Sequence, residues 1–109
     1  MVAALSAWAR LGVHLRETQI IGSIQSTLYW DQNTRMPAGG AAWRGEQLSL
    51  LATQLHARQS SAGYADLVQA ARQEWSSQGG DPDHAAKGRN LDLLEQDLRR
   101  QQSMDPALV

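Results

Sequence analysis

The first 30 residues contain a proline-free stretch whose apolar side chains recur at helical spacing. From Val2 to Trp30 no proline occurs, and steps of three and four residues separate the apolar positions, which places them on one face of an α-helix. The sequence therefore predicts one long helix near residues 3–30. Gly12 and Gly22 are unfavourable inside such a helix, and we interpret them as possible marks of a close helix crossing.

A turn-rich segment follows this helix. Residues 31–40 contain a proline, paired glycines and Asx residues, which supply the backbone angles that turns require. We therefore predict a connector without helix over these residues. Helical spacing resumes between Trp43 and Gln59 and predicts a second helix near residues 41–59, which would form a helical hairpin with the first.

Two further helices are predicted from their start signals. Ser60 or Ser61 can cap a third helix, and Asp81-Pro82 places an N-cap residue before a proline at the first position of a fourth. Leucine and alanine, which favour helix over sheet, are frequent in this chain, so we expect an all-α fold of about four helices. The third and fourth helices are predicted near residues 62–76 and 82–103.

A last start signal lies close to the end of the chain. Asp105-Pro106 repeats the pattern of Asp81-Pro82, yet the sequence stops at Val109. We interpret residues 1–109 as a single helical region that forms an incomplete part of a larger helical protein.

Composition excludes several classes of function. The chain has no cysteine, so it can form neither a disulfide framework nor a thiolate metal site. Its formal net charge is −1 and its ten basic residues are scattered, which argues against nucleic-acid binding. Polar residues interrupt every apolar segment before 18 positions, so we expect neither a membrane span nor a secretory signal. We expect a cytoplasmic protein.

The histidines do not form a recognisable metal site. His14 and Glu17 stand three residues apart, a spacing used in helical metal sites, but a zinc site needs at least three protein ligands. His56 and His84 belong to other predicted helices. His-Glu-x-x-His, which places two imidazoles on one helix face beside a general base, does not occur. We therefore expect no metal ligand and no catalytic residue in this chain, and we interpret His14 as forming an ordinary ion pair or hydrogen bond.

The end of the first predicted helix carries the candidate substrate-groove residues Trp30, Asp31 and Arg44. An aromatic face beside a carboxylate suits an extended peptide, and an arginine can bind a carboxylate. The structural alternative is favoured for all three residues. In it, Trp30 packs under the turn, Asp31 accepts hydrogen bonds from turn amides, and Arg44 forms an ion pair or a cap. Trp8, Trp43 and Trp75 are expected in the core or an interface.

The segment from Leu28 to Gln47 resembles the N-terminal signature of the carboxypeptidase Taq (M32) metallocarboxypeptidases. That signature contains Trp-Asp, a threonine three residues after the aspartate, Met-Pro, a glycine, and then arginine and glutamine. In this chain the matching residues are Trp30, Asp31, Thr34, Met36, Pro37, Gly39, Arg44 and Gln47. The similarity extends over essentially all 109 residues.

The resemblance implies what the complete enzyme would do. Members of this helical family, often homodimers, remove single amino acids from peptide C-termini, with zinc or a similar divalent metal activating water and a glutamate as base. Their His-Glu-x-x-His segment lies several hundred residues downstream. The chain would thus be a wall or lid of the substrate groove, inactive alone. The remainder of the carboxypeptidase chain, the peptide substrate and, in a homodimer, a second copy are the expected partners.

A free-standing helical module that binds another protein is the alternative. Exposed apolar stripes would serve such a module equally well. The coding sequence after Val109 distinguishes the two hypotheses, because only the enzyme requires a downstream His-Glu-x-x-His segment.

Overall fold

The computed structural model describes residues 5–103, and these residues form an all-α fold, as the sequence predicts. Four α-helices and one short 3-10 turn make up the described chain, which contains no β-strand within those bounds. The first helix is the longest, and the 3-10 turn leads directly into the second. The helices are α1 (Ala7–Thr34), α2 (Ala41–Ser60), α3 (Ala62–Ser77) and α4 (His84–Ser103), and the 3-10 turn is Ala38–Gly40.

Helix α1 begins later than predicted. The side chain of Ser6 caps it by accepting a hydrogen bond from the amide of Ala9 at 3.0 Å. Leu5 and Ser6 are not helical, so the predicted start near residue 3 is wrong at these two positions. Residues 3 and 4 lie outside the described residues. The carboxylate of Glu74 on α3 also accepts hydrogen bonds from the amides of Ala7 and Trp8, at 2.8 and 3.2 Å. These acceptors satisfy amide donors that a helix N-terminus leaves unpaired and that favour negative charge.

The other end of α1 extends beyond the predicted boundary. Residues 31–34 are helical, so the prediction that the connector begins at Asp31 is wrong. The backbone carbonyl of Asp31 accepts hydrogen bonds from the amides of Arg35 and Met36 at 2.8 and 2.9 Å, which closes the last turn. Pro37 is the first residue that cannot donate a backbone hydrogen bond, and it disfavours helical geometry in the residue before it. The helix therefore continues almost to the proline.

Helix α3 is capped as the sequence predicts, and Ser61 is the capping residue. Its hydroxyl accepts a hydrogen bond from the amide of Tyr64 at 3.2 Å. The neighbouring hydroxyl of Ser60 instead donates to the carbonyl of His56, one turn back in α2. The two serines thus divide the junction, with one closing α2 and the other opening α3.

Helix α4 begins two residues after its predicted start. The carboxylate of Asp81 accepts a hydrogen bond from the amide of Asp83 at 2.9 Å, which forms an Asx turn ahead of the helix, so the prediction of Asp81 as the N-cap residue is wrong. Pro82 and Asp83 form a turn, and regular helix begins at His84. The start signal at Asp105-Pro106 lies outside the described residues.

The hydrophobic core lies where α3, α4 and the first half of α1 meet. Buried residues from these three helices form one cluster, and the half-buried rings of Trp8 and Trp75 pack against it, as expected for two of the predicted core tryptophans. Helix α2 contributes only Leu48 to the buried apolar residues of the described chain. The clustered residues are Ala7, Leu11, Tyr64, Val68, Ala71, Leu91 and Leu98.

Close packing of α3 on α4 depends on a glycine. A Cβ atom at Gly88 would stand 2.5 Å from Cζ2 of the Trp75 ring, so only glycine fits there. The ring is held in place because its Nε1 donates to the carbonyl of His84 at 2.7 Å. In contrast, a Cβ at Gly12 or Gly22 would meet nothing within 4 Å, so our interpretation of these glycines as a close helix crossing is wrong.

Residues 20–50 form the part of the molecule that we call the hairpin arm: the second half of α1, the 3-10 turn and the first half of α2. Leu48 is its buried apolar residue, whereas many of its large apolar side chains are exposed. In the described part of the chain, no helix has the length and apolar character to cross a membrane. The exposed apolar side chains of the arm are Ile20, Ile24, Tyr29, Trp30, Trp43 and Leu50.

Candidate functional site

Arg44 joins the two helices of the hairpin arm. From α2, its Nη1 donates to the backbone carbonyl of Leu28 at 2.8 Å, and its Nη2 donates to the carboxylate of Asp31 at 2.8 Å. Its Nε donates to the side chain of Gln47 at 3.1 Å. The Arg44 side chain is only 14% exposed. All three guanidinium nitrogens thus have acceptors within the protein, and the residue fastens α2 to the last turns of α1.

Asp31 has two separate roles at this junction. Its carboxylate pairs with Arg44, while its backbone carbonyl accepts hydrogen bonds from the turn amides of Arg35 and Met36. The sequence led us to expect that the carboxylate would bind those amides. That expectation is wrong because the helix continues past Asp31, so the main-chain carbonyl already faces the amides and the side chain is left to bind the arginine.

Trp30 lies beside Asp31 in sequence but does not pack under the turn. Its side chain is 60% exposed, and that of Trp43 at the start of α2 is 68% exposed. The structural alternative that placed Trp30 beneath the turn is therefore wrong. Trp43 does not lie in the core, and its predicted role in an interface stays a prediction. Of the three groove candidates, Asp31 and Arg44 are in direct contact, whereas Trp30 presents its ring to the surface.

His14 is engaged on both of its ring nitrogens. Its Nε2 lies 2.9 Å from the carbonyl of Arg58, and its Nδ1 lies 3.2 Å from Nη2 of the same residue. The carbonyl requires a donor and the guanidinium requires an acceptor, so these partners select the neutral tautomer with the proton on Nε2. The ring also stacks on Tyr64 with centroids 4.8 Å apart. This arrangement confirms the interpretation of His14 as a hydrogen-bonding residue.

The described residues do not fit a catalytic zinc site. Across residues 5–103, no three side chains of the His, Asp or Glu type are grouped closely enough to hold a metal ion. Both nitrogens of His14 already have protein partners, and the ring of His84 stacks on Trp75 with centroids 4.3 Å apart. Residues 5–103 therefore offer no donor set from which a chemical step at a metal could be derived.

Several long-range polar contacts were not anticipated from the sequence. Glu74 caps α1 from 67 positions along the chain, and Arg58 binds the α1 backbone and side chains from the end of α2. Arg72 pairs with Asp92 and Glu95, which fastens α3 to α4. Each partner set combines residues from two helices, and local sequence patterns carry no signal for such pairs.

Comparison with known proteins places this chain in a family. The family model described as carboxypeptidase Taq (M32) metallopeptidase matches residues 10–109. Neither a search of curated proteins nor a search of solved structures found a match. The matched range contains the Trp30–Gln47 segment, and with it the junction at which Arg44 binds Asp31. Because the match spans nearly the whole sequence, the chain belongs to the carboxypeptidase Taq (M32) metallopeptidase family.

Proposed function

We propose that this chain forms a wall or lid of the substrate groove in a metal-dependent carboxypeptidase that removes C-terminal amino acids from peptides. The family match over residues 10–109 is the observation that carries the proposal. The metal, zinc or a similar divalent ion, and the general base are then supplied by residues outside these 109 positions. By itself the chain is inactive.

The surface of the hairpin arm supports a role in contacting peptide or protein. Its exposed side chains include Tyr29, Trp30 and Trp43, and large exposed apolar patches are typical of binding surfaces. Aromatic side chains provide a wide contact area for an extended peptide and lose little conformational entropy on binding. The proposal therefore assigns substrate contact first to Trp30.

Asp31 and Arg44 receive a positioning role in this proposal. Arg44 already donates from all three guanidinium nitrogens to protein acceptors, so a substrate carboxylate would have to compete with Asp31 and the Leu28 carbonyl. We infer that the pair maintains the angle between α1 and α2, and with it the position of the neighbouring Trp30 ring.

A peptidase assay on the purified 109-residue chain tests whether the chain is inactive by itself. We expect no release of C-terminal residues from a blocked peptide in the presence of zinc or cobalt, with circular dichroism confirming that the helices are formed. Release that a chelator abolishes would contradict the proposal, because it would place a working metal site within this chain.

The alternative, a free-standing helical interaction module, rests on the same exposed arm. The coding sequence beyond Val109 separates the two hypotheses. A downstream segment with His-Glu-x-x-His supports the enzyme, and in that longer chain we expect Trp30→Ala to raise KM for peptides more than it lowers kcat, since it removes binding surface and no reacting group. A natural stop codon directly after Val109 supports the module.

A further inference from the structure

A cavity of about 380 Å³ lies where all four helices meet. Tyr64 and Leu98 are its buried members, at 7% and 9% exposure, and Leu15 and Leu94 are half-buried beside them. Its volume is in the range of sites that bind small organic molecules, which typically combine apolar walls with a few placed polar groups. We call it the four-helix cavity.

Arg58 lines this cavity with a guanidinium whose orientation is fixed. Its Nε donates to the hydroxyl of Thr18 at 2.9 Å, and its Nη2 donates to the carbonyl of His14 at 3.0 Å and to the carboxylate of Glu17 at 3.2 Å. Within residues 5–103, its Nη1 donates to no protein acceptor under normal hydrogen-bond geometry. The guanidinium is therefore held in one orientation with a free donor, and a donor fixed in advance costs less entropy when a ligand binds.

The hydroxyl of Tyr64 is a second free donor. The Tyr64 ring is fixed by stacking on His14, yet across the described chain its hydroxyl has no hydrogen-bond partner. It is not sealed from solvent, because no fully buried side-chain nitrogen or oxygen of residues 5–103 lacks a partner. Burial, with the charge of Asp97, raises the pKa of the Tyr64 hydroxyl. The group therefore remains protonated, and able to donate, at neutral pH.

The ionic groups at the rim of the cavity are paired with one another. Arg58 and Arg100 line the four-helix cavity together with one carboxylate, that of Asp97. Arg58 in turn pairs with Glu17 at 3.2 Å, so the two arginines are matched by two carboxylates, and the preference for an anion rests on the free donors of Arg58 and Tyr64. Asp97 pairs with Arg100 at 3.6 Å, which is a long and mostly exposed ion pair of small energetic value. A ligand carboxylate would compete with Asp97 for Arg100, and this competition predicts how Asp97 variants behave.

We propose that the four-helix cavity binds a small organic carboxylate that carries an apolar group. The carboxylate accepts hydrogen bonds from Arg58 and Tyr64, and the apolar group packs against the leucine side chains of the cavity. Donors with no protein acceptor beside apolar walls match this class of ligand and disfavour a cation or a purely polar molecule. The proposal is independent of the peptidase assignment, because it depends only on this cavity.

Phenylacetate and its neutral analogue phenylacetamide are a matched pair of probes. Titration of the isotope-labelled 109-residue chain, followed by NMR, should give saturable phenylacetate shifts at Tyr64, Leu94 and Leu98 in the millimolar range. Phenylacetamide has the same ring without the charge, and we expect it to bind about tenfold more weakly, because hydrogen bonds to charged groups are the stronger ones.

Four variants test which groups carry the binding. Tyr64→Phe removes only the free hydroxyl and should weaken phenylacetate binding by about tenfold. Arg100→Gln should weaken it by about threefold at low salt, and Asp97→Asn should strengthen it by a similar factor because the competing carboxylate is gone. Arg99→Gln is the control: it removes the same charge from the next position of α4, but Arg99 lines other cavities, so binding should not change.

Three results would overturn the proposal. The first is the absence of saturable shifts at the cavity residues in a chain that circular dichroism shows to be helical. Equal binding of phenylacetate and phenylacetamide is the second, since the carboxylate would then contribute nothing. The third is an equal loss in the Arg99 and Arg100 variants, because binding would then follow overall charge and not this cavity.

Discussion

The two ends of this molecule differ in what their apolar side chains do. At the packed end, formed by α3, α4 and the first half of α1, leucine, valine and alanine side chains are buried in one cluster. In the hairpin arm, residues 20–50, side chains of equal size lie on the surface. Both regions show apolar residues at helical spacing, so periodicity reveals a helix and its apolar face but not whether that face is covered.

The difference suggests a division of roles. A helix pair with little buried apolar surface gains little stability from packing, and the arm is instead fastened at its ends by arginines. Arg44 holds the distal junction and Arg58 holds the junction near His14. The packed end therefore supplies the stability, while the arm offers its apolar surface to the groove or protein partner proposed above.

The largest predicted effect compares the same substitution in the two regions. Leu91 is 0% exposed and Leu50 is 60% exposed. We expect Leu91→Ala to lower the free energy of unfolding by about 2–5 kcal/mol, because it removes buried methyl groups and leaves a cavity, and Leu50→Ala to change it by less than about 0.5 kcal/mol. Urea unfolding measures both. Equal costs would mean that the arm is as well packed as the core.

A second comparison uses glycine-to-alanine substitutions, which should have opposite signs in the two regions. At Gly88 in the packed end, the added Cβ would meet the Trp75 ring at 2.5 Å, and we expect a loss of about 1–3 kcal/mol from overpacking. At Gly22 in the arm the added Cβ meets nothing, so Gly22→Ala should stabilise the helix by about 0.5–1 kcal/mol. Thermal unfolding of the two variants provides the test, and destabilisation by Gly22→Ala would indicate a close packing partner there.

The smallest effect concerns an exposed charge at the packed end. The carboxylate of Asp81 accepts hydrogen bonds from the side chain of Lys87 and from the amide of Asp83. These bonds lower the pKa of Asp81 below its ordinary value of 3.8. A carboxyl whose pKa is lower in the folded state stabilises the fold above its unfolded pKa and loses this contribution as pH falls through the folded value. We therefore expect Asp81→Asn to lower the melting temperature slightly at neutral pH, and the difference from the wild type to vanish in strong acid.

Asn at position 81 retains a side-chain oxygen that can accept the hydrogen bond from the amide of Asp83, so this variant isolates the charge. A Lys87→Gln background provides the control, because removal of the partner should shrink the effect of Asp81→Asn. A difference that grows as pH falls would contradict the assigned direction of the pKa shift.

The prediction of helices succeeded where local chemistry is decisive. Ser61 caps α3 as its residue type indicates, and the segment that contains Pro37 separates α1 from α2. The end of α1 was misplaced because Asn, Asp and Thr favour turns but do not forbid helix, and residues 31–34 continue the regular helix. Pro37 predicts the end of α1 more accurately, because a proline disfavours helical geometry in the residue before it.

The substrate-groove role of Trp30, Asp31 and Arg44 stays a prediction, and the sequence indicated their proximity only in part. The sequence pointed to Asp31 and Arg44, and the structure brings them together, because an arginine early in α2 necessarily lies near the end of α1 in a tight helical hairpin. The exposure of Trp30 could not be predicted, because it depends on whether another element covers that face. The four-helix cavity was not foreseen at all, since its residues come from all four helices.

The amino-acid sequence by itself determined the helical class, the presence of a serine cap on α3 and the family resemblance, because each depends on contacts within a few positions or on a linear pattern. Only the tertiary structure decided which apolar faces are buried, that Glu74 caps α1, that Gly88 admits the Trp75 ring, and that Arg58 and Tyr64 share a cavity. Those outcomes depend on distances between helices, and residues far apart in sequence acquire such distances only when the chain folds.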